Sequence, residues 1–186
     1  MFFARGDVKS HGMPLIFNKH KEDFLRNNVA PLLAAAFLVA ANISFGQTDT
    51  LILSSGSAAP DGTVSLNLNL TSLGVHIPAG VQWTLTYSPN DVTAISVTAG
   101  PAATAAGKTL SCFAGLGTYT CLASGMNTTA ISNGAVAYVN LTIAAGVSAT
   151  SVGLSNSAGS SASGRRIAVL PTGGVVTGGA TSPPRR

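Results

Sequence analysis

The chain has 186 residues, 46% of them apolar and only 9% charged, with a formal net charge of +4. That length holds one ordinary domain plus an appendage rather than two full domains. Such an apolar, weakly charged chain is not a solvated disordered one, and its few basic residues cluster near the ends, which argues against a nucleic-acid binder.

Residues 19–28, KHKEDFLRNN, mix both signs of charge, and Val29 to Gly46 carries no charged side chain. A charged lead, an apolar core and a small-residue exit predict a secretory signal peptide over residues 1–46. Ser44-Phe45-Gly46 suits cleavage before Gln47, a cut near Ala41 is the other option, and a start at Met13 would shorten the long lead. An uncleaved anchor is the competing reading, because the apolar run reaches the short limit of a membrane span. Pro31, Asn42 and Ser44 within it favour cleavage. Either way the rest of the chain is expected outside the cytoplasm: secreted, or at the cell surface if the segment stays, with no other membrane contact.

From Gln47 onward the sequence reads as short strands. Residues 51–54 open the series. Thr63 to Leu70 alternates strictly, with Val64, Leu66, Leu68 and Leu70 on one face and Thr63, Ser65, Asn67 and Asn69 on the other. Val81, Trp83, Leu85 and Tyr87 repeat the pattern, as do Ala135, Ala137, Val139, Leu141 and Ile143. Period-two alternation marks half-buried strands of antiparallel sheets. Weaker strands fit 92–98, 109–113, 118–123, 150–155, 166–170 and 174–177. Turn signals separate them: Pro60-Asp61-Gly62, Ser88-Pro89-Asn90-Asp91, Ala99-Gly100-Pro101, Ser132-Asn133-Gly134 and Ala158-Gly159. No helical period stands out, and 99–107 reads as a loop. An antiparallel all-β sandwich of about nine strands over 47–177 follows, with a flexible Pro/Arg tail at 178–186.

Cys112 and Cys121 enclose eight residues, FAGLGTYT, and in an oxidising compartment they are expected to form a disulfide. A metal reading needs further ligands, and past residue 46 only His76 is on offer. That part of the chain has no glutamate and three aspartates, Asp49, Asp61 and Asp91. Asp61 and Asp91 sit in turns that explain them, and a glycosidase normally needs an opposed pair of carboxyl groups. No phosphate-cradling glycine pattern occurs. The reading is a non-enzyme without a cofactor or metal of its own. Trp83 belongs to the core by its alternation, which leaves Phe113, Tyr119 and Tyr138 as the aromatic residues available to touch a glycan.

Three blocks, in order, resemble the cohesin module. SAAPDGTVSLNL (57–68) is similar to that family's opening turn and second strand. VQWTLTYSPNDVTAISVTAG (81–100) resembles its strand, Tyr-Asp-Pro turn, strand and closing glycine, with Ser88 where the turn usually has Asp. ISNGAVAYVNLTI (131–143) matches its glycine followed by a long alternating strand. The 101–125 region with its cysteine pair is not a general family feature. The resemblance implies a jelly-roll-like sandwich that holds a dockerin-like partner, the calcium being carried by that partner. It assigns the contact to outward residues of the strand before the Tyr-Asp-Pro turn, here Gln82, Thr84 and Thr86. The function so implied is extracellular protein–protein attachment in assemblies that handle polysaccharides. Direct carbohydrate binding, or a structural or adhesive surface role, is the alternative.

Overall fold

A strand with apolar residues on one side must bury that side against a second layer. The computed structural model of the chain describes residues 48–74 and 76–178. The export segment, with its cleavage and anchor readings, and the tail beyond Gly178 lie outside the described residues. In chain order the strands are β1 (Asp49–Leu53), β2 (Gly56–Ser57), β3 (Thr63–Thr71), β4 (Gly80–Thr86), β5 (Val92–Ala99), β6 (Thr109–Gly115), β7 (Thr118–Ser124), β8 (Gly134–Ile143), β9 (Ala149–Ser160), β10 (Arg166–Thr172) and β11 (Gly174–Thr177). Nine of them form one hydrogen-bonded path, β5-β8-β3-β1-β10-β9-β4-β7-β6, and the short β2 and β11 join beside it.

That path is an all-β sandwich whose two layers share a strand. Arg166–Ala168 of β10 pairs antiparallel with the end of β9, whereas Val169–Thr172 pairs parallel with β1. The strand therefore changes sheets midway and joins β5-β8-β3-β1 to β9-β4-β7-β6. Leu51, Leu66, Leu68, Leu70, Val139 and Leu141 from the first layer meet Val81, Trp83, Leu85 and Leu154 from the second, all buried. In β8 the alternation slips. Leu68 faces Ala137 and Asn69 faces Ala135, so Val136 is an extra, bulged residue. Val136 is buried in place of Ala135, and the bulge keeps Ala137, Val139, Leu141 and Ile143 inward as the alternation predicts.

Turn chemistry sets these registers locally. Asp61 Oδ1 accepts hydrogen bonds from the Thr63 amide at 3.0 Å and the Thr63 hydroxyl at 2.7 Å. The amide first and the hydroxyl second hold the Asp61 carboxyl below its ordinary range. Gly62 follows at φ 84°, where a Cβ would come within 2.6 Å of the Ile143 carbonyl oxygen, so glycine is required there. Asn133 clamps the far end of the same sheet by accepting from the Ser72 amide (2.8 Å) and donating to its carbonyl (3.3 Å).

The 99–107 segment is not all loop. It contains a short helix, α1 (Pro101–Ala105), which packs on β8 with Ala102 and Ala103 buried. Proline at the first helical position and alanines behind it favour that turn, and Gly107 at φ 64° ends it. Five residues are too few to display a helical period. Just beyond, Lys108 is buried, and its Nζ donates to Asn127 Oδ1 (2.6 Å) and to the Asn127 carbonyl (3.1 Å), pinning the loop after β7.

Cys112 and Cys121 form the disulfide, directly opposite each other across β6 and β7. The bond closes the hairpin at the end of the path, where β6 pairs with β7 alone among the described residues. Serine at both positions is expected to lower stability by roughly 2–3 kcal/mol through loop-closure entropy. Urea unfolding of the wild type with and without reductant, beside the double variant, checks this: the reduced wild type and the variant should coincide.

Candidate partner-binding face

Alternation that sends Val81, Trp83 and Leu85 inward sends Gln82, Thr84 and Thr86 to the outer side of the β9-β4-β7-β6 layer. Strand register then fixes what surrounds them. The first outward row is Ser111, Leu122, Gln82 and Ala158; the second is Phe113, Thr120, Thr84 and Ser155; the third is Gly115, Thr118, Thr86 and Gly153. None of these twelve side chains is charged. The third row is low and flat, because a Cβ on Gly115 would overlap the Thr118 hydroxyl and one on Gly153 the Thr86 hydroxyl.

The three β4 residues are not equivalent. Gln82 is exposed and Thr86 half-buried. Thr84 is only 7% exposed, and its hydroxyl lies 3.0 Å from that of Thr120. Its short side chain lies in the middle row between Thr120 and Ser155, so Thr84 supports the face rather than presenting a contact of its own. The apolar surface comes from residues that periodicity in β4 could not reveal. Phe113 is 78% exposed and Leu122 40%, diagonal neighbours on β6 and β7, and Leu116 in the connecting turn is also exposed. The cysteine spacing held a usable signal. Cys112 and Cys121 are equidistant from Leu116-Gly117, so they face each other across a hairpin, and a buried Cys121 turns Phe113 and Leu122 outward.

The aromatic residues proposed for a glycan do not come together. Phe113 is outward on β6, whereas Tyr138 is outward on β8 in the other layer. Tyr119 lies opposite Leu85, half-buried against the core, because it shares the inward parity of Cys121. His76 is exposed in the loop before β4. Among the described residues, no three His, Cys, Asp or Glu side chains gather as metal ligands.

No family model matches the sequence, and no curated protein matches it. Solved structures do. A non-cellulosomal cohesin from the archaeon Archaeoglobus fulgidus aligns at TM-score 0.59 and 12% identity, over 73% of this chain and 94% of that one. The sixth cohesin of Acetivibrio cellulolyticus scaffoldin B, solved with a Cel5 dockerin, gives TM-score 0.60 and 22% identity over 70% and 98%. The third cohesin ScaC of the same organism, in complex with the ScaB dockerin, gives 0.62 and 15% over 72% and 100%. The sandwich thus has the cohesin fold, as the three sequence blocks implied.

Proposed function

We propose that this chain is a non-catalytic, extracellular attachment module that holds a dockerin-like protein on the β9-β4-β7-β6 face, within an assembly that handles polysaccharides. The observation that carries the reading is the exposed Phe113–Leu122 pair beside Gln82, on the layer to which the cohesin resemblance assigns the partner. Exposed aromatic and aliphatic anchors on a flat, uncharged surface are what a protein partner desolvates. Two of the similar cohesin structures described above contain dockerins, which supports the same class of partner. Export by the amino-terminal segment would bring the module to such partners.

The test is a pull-down from the secreted proteins of the source organism with this protein as bait, run with calcium and with chelator. A prey bearing a dockerin-like repeat, retained with calcium and released by chelator, is the expected result. An empty lane under both conditions would overturn the attachment reading.

A further inference from the structure

The other layer of the sandwich presents a different surface. On the outer side of β3, β8 and β5, register aligns Thr63 with Thr142 and Ala94, Ser65 with Asn140 and Ser96, and Asn67 with Tyr138 and Thr98. A depression of about 350 Å³ opens over the first two of these rows. Its polar lining is Thr63, Ser65, Ser96, Asn140 and Thr142, and no charged residue lines it. The side chains of Ser65, Ser96, Asn140 and Thr142 make no hydrogen bonds to other described residues, so their donors and acceptors are open to a ligand. Tyr138 is 36% exposed, one row further along the same strand. Same-face residues on a strand are roughly 7 Å apart, about one ring's width from Asn140.

Each feature removes a class of ligand. Without a cation the groove does not compensate a phosphate or carboxylate. The carboxylate beside its Thr63 end, Asp61, does not line it and has Oδ1 committed to the Thr63 amide and hydroxyl, so the lining offers no anionic ligand to an amine or a metal ion. Polar groups on every strand suit neither a lipid nor an apolar protein anchor, both of which would leave hydroxyls and amides unpaired. A neutral polyol satisfies all of them. Its hydroxyls exchange hydrogen bonds with an Asn–Ser array, and the apolar face of a neighbouring sugar ring covers an exposed tyrosine. The geometry points to a subsite for a neutral glycan on the β3-β8-β5 face, with Asn140, Ser65 and Ser96 as hydrogen-bonding partners and Tyr138 as the stacking platform. The site lies on the layer opposite the attachment face and stands independently of that reading. A module built this way could hold a protein partner on one sheet while touching polysaccharide with the other.

The test is native affinity electrophoresis of the whole protein in gels containing mixed-linkage β-glucan, xylan or galactomannan, with polygalacturonate as the charged comparison. Retardation is expected in at least one neutral gel. Tyr138→Ala and Asn140→Ala should each weaken it roughly tenfold. Tyr138→Phe, which keeps the ring, and Phe113→Ala, on the other layer, should leave it within about twofold. Unchanged thermal midpoints would show that the variants are folded. Free migration in every neutral gel overturns the proposal. So does retardation by polygalacturonate alone, which would report only the net positive charge, and so does retardation lost in Phe113→Ala but kept in Tyr138→Ala.

Discussion

Replacing Trp83 with alanine is expected to destabilise the protein by about 3–5 kcal/mol, the usual loss for a large aromatic residue removed from a core. Trp83 is fully buried at the centre of β4, with Cys121 opposite it on β7 and the first sheet packed over its ring. The indole adds an internal control. Its Nε1 is buried without a hydrogen-bond partner, so Trp83→Phe removes ring volume but breaks no hydrogen bond. The phenylalanine variant should therefore lose clearly less, on the order of 1–2 kcal/mol. Gln82→Ala, one residue away but outward, should fall within about 0.5 kcal/mol of wild type. Urea midpoints of the three variants decide the matter. Equal losses for alanine and phenylalanine would mean that the indole nitrogen, not the ring volume, matters at this site.

The alternation that identifies Trp83 as core is also why so much of the fold was legible. β3, β4 and β8 each bury one face, and a two-residue period is a local property that any reader of the chain can see. The features that escaped are set by pairing across the sequence. The bulge at Val136 is a shift in the pairing of β8 with β3, between Leu68 and Asn69, and nothing in AVAYVN marks it. The sheet switch within β10 depends on two partners more than one hundred residues apart in the chain, β1 and β9. The site shows the same division. Gln82 and Thr86 were placed on the outer face by parity alone. Burial of Thr84 required the contact with Thr120 across β4 and β7. The cysteine spacing could have turned Phe113 and Leu122 outward, and only their place beside Gln82 needed the strand order. Phe113 and Tyr138, both available to a glycan on the sequence and both exposed, lie in different layers, which only the topology could show.

That separation makes the attachment face testable on its own. If the proposed dockerin-like partner docks here, Phe113→Asp and Leu122→Asp each place a charge where it must exclude water, and each should weaken its binding by about a hundredfold or more. Both side chains are exposed in the free protein, so stability should stay within about 0.5 kcal/mol of wild type. Gln82→Lys and Thr86→Lys should act in the same direction, because they too insert charge into rows that have none. Thr84→Ala should behave oppositely. It leaves the Thr120 hydroxyl without its partner, costing roughly 1 kcal/mol of stability, while binding changes little. With no ion pair available from this surface, raising salt from roughly 0.05 to 0.5 M should shift the affinity less than about threefold. A steep fall with salt would move the contact to Arg165 and Arg166, exposed around the β9–β10 turn, and away from the flat centre of the sheet. Tyr138→Ala should leave binding of the proposed partner unchanged, since its side chain lies on the opposite layer. Calorimetric titration of these variants with the calcium-loaded partner measures all of these outcomes, and full binding by Leu122→Asp would exclude this face.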